Sequence, residues 1–91
     1  MEIKHGTNKF YIGRIEEAPQ AQMVYEDKGD YVNIEHTIVS DNLTGQGVAG
    51  RLLDALVNWA REDKKKVRAT CSYAYAKLQD EKYQDVFEKN I

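Results

Sequence analysis

Hydrophobic positions recur at every second residue over much of the first forty. Ala21, Met23 and Tyr25 alternate with Gln22, Val24 and Glu26, the period of a strand with one covered face. In residues 31–40, Val32, Ile34, His36 and Ile38 fall on one face, and Asn33, Glu35, Thr37 and Val39 on the other. Asp27, Lys28, Gly29 and Asp30 between the two runs have turn chemistry, which predicts an antiparallel hairpin. Upstream, Phe10, Ile12 and Ile15 mark a short strand over residues 9–16. Pro19, with no amide to donate to a ladder, separates it from the next.

The period then changes. Ala49, Leu52, Leu53, Leu56, Val57 and Ala60 lie at helical spacing, with Arg51, Asp54, Asn58, Arg61 and Glu62 on the opposite side and Trp59 at the edge of the stripe. That predicts one long amphipathic helix, closed by the positive charge of Lys64, Lys65 and Lys66. Residues 67–71 read as a short strand. Ser72 then reads as the cap of a second helix through Tyr73, Ala76 and Leu78, and Tyr83, Val86 and Phe87 mark a last helical stretch. The order strand, strand, strand, helix, strand, helix predicts a single α/β domain over residues 1–91.

Composition narrows what such a domain does. The 91 residues carry 13 Lys and Arg against 15 Asp and Glu, a net charge of -2, so the basic excess of a general nucleic-acid binder is missing. A single cysteine, Cys71, leaves no internal disulfide, and no Cys/His cluster has the spacing of a metal site. The apolar runs are too short to span a membrane, and no signal-peptide pattern opens the chain. A cytoplasmic location without metal is the expectation.

The richest motif is Thr44-Gly45-Gln46-Gly47-Val48-Ala49-Gly50, where strand hands over to long helix. The first amides of a helix have no intrahelical acceptor, and its dipole adds about half a positive charge there. Glycines let the backbone approach a ligand, so a phosphate or pyrophosphate is a natural guest. A tight turn with no ligand remains the alternative. The nucleotide P-loop is excluded, because Arg51 and Leu52 stand where it needs Lys and Ser or Thr. Gly45, Gly47 and Gly50 do have dinucleotide-fingerprint spacing, but an antiparallel hairpin precedes them and the chain is too short for that domain.

The run from Leu43 through Gly50 to Arg51, Leu52 and Leu53 resembles motif A of the GNAT acetyltransferase superfamily. Gly47 and Ala49 match its last two fixed positions, while Thr44 stands where Gln or Arg is usual. Residues 35–39 resemble the strand that feeds this loop. Residues 67–73, with Cys71-Ser72-Tyr73, and the tail at residues 83–87 resemble a subgroup of very small members. The resemblance implies a GNAT-like α/β fold, a mostly antiparallel sheet with a central long helix after the glycine-rich loop. The usual early helices and the last hairpin are missing. It implies acetyl-CoA as co-substrate, with Ile38 and Val39 bordering the pantetheine and Thr44, Gly45, Gln46, Gly47, Val48, Ala49 and Gly50 holding the phosphates. The acceptor would be an amine-bearing small molecule or protein, and the absent elements are those that usually shape its pocket.

Acetyl transfer needs a nucleophile, a held thioester and help for the departing thiolate. Cys71 ends a strand just before a helix, where a thiol gains thiolate character, so it is a candidate to take the acetyl group or to sit beside the CoA sulfur. A buried structural thiol is the alternative. His36 is the candidate base, against the reading of a half-buried strand histidine. Glu35 acting through water, and Tyr73 or Tyr75 as proton donor, rank behind it, and His5 last. Lys64, Lys65 and Lys66 could touch a CoA phosphate or simply solvate a helix end. Two readings compete with an acetyltransferase: a CoA-binding module without turnover, and a small interaction domain whose glycines are structural.

Overall fold

The computed structural model describes residues 2–89 and forms one five-stranded sheet in sequence order. Its strands are β1 (Lys4–Gly6), β2 (Lys9–Ile12), β3 (Ala21–Asp27), β4 (Tyr31–Val39) and β5 (Lys66–Ala69). The first four pair antiparallel, with Gly29 at φ 92° turning the chain between β3 and β4. β5 runs parallel to β4. A parallel pair needs a crossover, and helix α1 (Val48–Glu62) supplies it. The mixed sheet and the long helix after the glycine loop are the architecture expected from the sequence.

The helical stripe lies on one face of the sheet. Leu52, Leu56, Val57 and Ala60 of α1 are fully buried in one core with Met23, Val32, Ile34 and Val67. Val48 takes the buried place at the start of the stripe, and Ala49 is only half-buried. With so thin a core, truncating one such leucine to alanine removes about 2–5 kcal/mol.

Three local expectations are corrected. The strand at residues 9–16 stops at Ile12, and Ile15 sits 56% exposed in the loop that follows. β1 adds an edge that the sequence reading did not contain. The last helical stretch is a single 3₁₀ turn at Glu81–Tyr83. Beyond it Phe87 forms a parallel bridge to Val67, through bonds from Val67 N to Val86 O and from Glu88 N to Val67 O, both 2.9 Å. The tail thereby covers part of the edge of β5 that a sheet would otherwise expose.

A fourth correction matters most for function. Tyr25 pairs with Ile34 and Val24 with His36, so Glu35 is an extra residue in β4. A bulge of this kind shifts every later side chain to the opposite face. Val32 and Ile34 face the core, but His36 and Ile38 do not share their face. His36 is exposed, Ile38 is 56% exposed, and Thr37 and Val39 turn inward instead.

Candidate functional site

The β4–β5 pairing stops at Ile34 and Ala69. There the carbonyl of Ile34 accepts from both Thr70 N (3.0 Å) and Cys71 N (3.1 Å), and β5 turns away into helix α2 (Ser72–Lys77). Among the described residues, no strand lies beside residues 35–39 of β4 on that edge. The split strands leave a slot whose inner wall carries Thr37 and Val39. Cys71 stands at its closed end, half-buried, with its sulfur 3.4 Å from Thr37 Oγ1.

The glycine loop lies at the other end of this slot. Gly45 (φ 84°) and Gly47 (φ 72°) take left-handed backbone, which disfavours a side chain. A Cβ at either position would meet nothing within 4 Å. These two glycines are therefore demanded by backbone conformation, not by crowding. Gly47 caps α1 without a side-chain hydrogen bond, and the first internal bond runs from Arg51 N to Gly47 O. The amides of Val48, Ala49 and Gly50 consequently have no acceptor among the described residues. Three donors at a helix start, with the dipole behind them, suit an anion.

A cleft of about 290 Å³ gathers this region. Thr44, Gly45, Gly47, Val48, Ala49 and Gly50 line one side, with Val39 and Leu43 at its floor and Tyr73 and Lys77 of α2 opposite. Seven of the nine residues expected around a coenzyme thus line one cavity. Gln46 and Ile38 do not: the Gln46 amide donates to Asn42 O at 3.1 Å, and Ile38 lies on the far face. The structure does not bring His36 to Cys71 either, because the bulge at Glu35 places them on opposite faces of β4. Cys71, not Ser72, caps the helix that follows, and its six residues are too few for a strong macrodipole.

Tyr73, ranked low from sequence, is placed inside the cleft, and its hydroxyl would lie 3.8 Å from a Cβ on Gly50. Burial, with Asp54 and Cys71 nearby, raises its pKa, so the hydroxyl keeps its proton near neutral pH. Tyr75 instead packs edge-on against Phe87. Lys64, Lys65 and Lys66 sit beyond the far end of α1, about 20 Å from the glycine loop at 1.5 Å per residue. Lys65 is tied to Asp27 and Lys66 to the carbonyl of Asp85. Thr37 and Lys77 were missed in the sequence. The signal for Lys77 was its i, i+4 spacing from Tyr73 on the helix after Cys71. No group of three or more His, Cys, Asp or Glu among the described residues is arranged to hold a metal, and no helix there is long and apolar enough to cross a membrane.

Known proteins provide the remaining observation. The profile of the GCN5-related N-acetyl-transferase family matches residues 9–86. No curated protein matches the chain. Among solved structures, a GCN5-like protein from Staphylococcus aureus, determined by NMR in solution, is 47% identical. The two superpose with a TM-score of 0.80 over 99% of this chain and 90% of that one. A family profile spanning both the glycine loop and Cys71, together with a like-folded relative sharing nearly half its residues, establishes that the chain belongs to the GCN5-related N-acetyltransferase family.

Proposed function

We propose that the protein transfers acetyl from acetyl-CoA to an amine acceptor, with Cys71 at the thioester. The observation that carries the reading is the set of three unpartnered amides, Val48 to Gly50, on a cleft that Val39, in the unpaired stretch of β4, also lines. The amides suit a diphosphate. The unpaired edge of residues 35–39 suits an amide-bearing arm, whose own polar groups would satisfy the strand. An arm laid along Thr37 and Val39 ends at Cys71. Ile38 and Gln46, turned elsewhere, drop out of the binding surface.

In the covalent route the Cys71 thiolate attacks the acetyl carbonyl, and the carbon–sulfur bond to CoA breaks. The departing CoA thiolate takes up a proton, equivalent to the one Cys71 gave up. The neutral acceptor amine then attacks the S-acetyl group, loses a proton and leaves Cys71 as thiol. His36 lies on the wrong face to take the first proton from Cys71, so it is not retained as the base for that step.

Titration with acetyl-CoA followed by backbone amide NMR tests ligand and location together. Residues 44–50 and 37–39 should shift most, with Cys71 among them. No binding, or shifts centred elsewhere, overturns the reading. A CoA-binding module without turnover is the second reading, favoured by the uncharged Thr44 in the loop. It predicts the same shifts but no acetylated amine in a product assay.

A further inference from the structure

The loop proposed to hold the coenzyme contains no charged side chain from Thr44 to Gly50. A diphosphate facing only these backbone amides would have the helix dipole, about half a unit charge, as its positive partner there, because Arg51, the next residue, does not line the cleft. Among the described residues, Lys77 of α2 is the one charged residue that lines the cleft. Its carbonyl accepts from Asp80 N at 3.0 Å, but its ammonium makes no ion pair or hydrogen bond among the described residues. Its ammonium is 5.9 Å from the centroid of the Tyr73 ring, near the outer limit for a cation–π contact. Most other lysines are engaged: Lys4, Lys9 and Lys66 with backbone carbonyls, Lys28, Lys65 and Lys82 with carboxylates, and Lys64 and Lys89 do not line the cleft. Lys77 follows Tyr73 by four residues on α2, so the two side chains lie on one face of that helix.

Resting on the acetyl-CoA reading above, we propose that Lys77 is the cation that grips the coenzyme's diphosphate. It reaches from α2 across the cleft to complete a cradle whose loop supplies donors but no full charge. A compact, flexible ammonium suits this task, since it can close on the phosphates after the amides have positioned them.

The test is calorimetric titration of wild type and Lys77→Met with CoA, 3'-dephospho-CoA and pantetheine at low and moderate salt. Position 77 is exposed on its helix, so Met, a good helix former of similar length, should leave the melting temperature unchanged. Lys77→Met should weaken CoA and 3'-dephospho-CoA equally, by about ten-fold, the scale of one partly screened charge-assisted bond. Pantetheine, which has no phosphate, should bind both proteins alike. The salt dependence of CoA affinity should become shallower in the variant. Adding Thr44→Arg to Lys77→Met should recover much of the loss. Equal CoA affinity for wild type and Lys77→Met overturns the proposal while leaving the acetyl-CoA reading intact. A loss confined to CoA and absent for 3'-dephospho-CoA also overturns it, because it moves the contact to the 3'-phosphate. Failure of wild type to bind CoA removes both readings together.

Discussion

Thr37 and Cys71 meet across the split between β4 and β5, hydroxyl oxygen to sulfur at 3.4 Å. Thirty-four residues separate them in the chain, and the contact exists because the bulge at Glu35 turns Thr37 inward. Cys71 reaches the same point because its amide is tied to Ile34 O. A hydroxyl beside a thiol can donate to the thiolate, or accept from the thiol, without moving.

If Cys71 receives acetyl, the intact mass of the protein should rise by one acetyl group after incubation with acetyl-CoA. Cys71→Ala should show no gain. Thr37→Val, nearly isosteric, should slow the gain by roughly five- to ten-fold, the equivalent of one lost hydrogen bond of about 1 kcal/mol. Acetylation that persists in Cys71→Ala would place the modified group elsewhere and remove the cysteine from the mechanism.

The bulge itself can be checked by stability. Ile34 is fully buried and Ile38 is 56% exposed, although uninterrupted alternation would put them on one face. Ile34→Ala should cost about 2–5 kcal/mol, and Ile38→Ala less than about 0.5 kcal/mol. Chemical denaturation of both variants measures the difference directly. Similar losses would mean that β4 keeps its alternation and that His36 and Ile38 belong with the core.

Pairs such as these explain what could be read from the chain. The α1 stripe was legible because Leu52, Leu53, Leu56, Val57 and Ala60 repeat at one period over several turns, and the loop because its glycines mark where backbone must turn left-handed. The bulge was not, because Ile38 and Val39 are both apolar and alternation is satisfied equally well with either facing in. β1, three residues with no alternation to read, left no signal. Lys77 was not singled out, because one exposed lysine carries no pattern of its own until α2 sets it on the cleft.

Tyr83 fastens the tail to α1. Its hydroxyl donates to Asp54 Oδ1 at 2.6 Å while its ring is buried. Burial first, then the Asp54 carboxylate, raises its pKa far above the ordinary tyrosine value. Tyr83→Phe keeps the ring and removes the bond, and should cost about 1 kcal/mol. For a domain of this size that lowers the melting temperature by roughly 4–8 °C, measurable by circular dichroism. An unchanged midpoint would mean that the tail is held by its apolar contacts alone.

His5 gives the fold a pH dependence that its place near the chain start did not announce. It stacks on Phe10 at 4.1 Å, meets Trp59 edge-on at 4.9 Å and shares a 2.6 Å hydrogen bond with Tyr25 Oη. Burial lowers its pKa from 6.5, partly opposed by Asp63. In the window below 6.5 the unfolded chain therefore binds the proton more readily than the folded one, and stability falls as pH falls. Asp27 acts lower on the scale, held below 3.8 first by the Gly29 amide and then by Lys65, so its contribution is present above that value and lost as pH drops beneath it. Melting temperatures from pH 7.5 to 5 should decline in wild type and decline less in His5→Phe. Equal slopes would show that the imidazole titrates alike in both states.

Gly47 joins fold and chemistry most tightly, and the two can be separated there. At φ 72° and ψ 18°, alanine should cost about 1–2 kcal/mol through backbone strain alone, since a Cβ would meet nothing within 4 Å. Asparagine tolerates left-handed backbone better than most residues, so Gly47→Asn should be the more stable variant. Gly47→Asp has nearly the same shape but sets a negative charge beside the amides of Val48, Ala49 and Gly50. Comparing Asn with Asp thus removes strain and bulk from the comparison and leaves charge. CoA should bind the Asp variant at least ten-fold more weakly than the Asn variant, with the gap narrowing as salt rises. If two folded variants bind CoA equally, the coenzyme's phosphates do not lie against the start of α1.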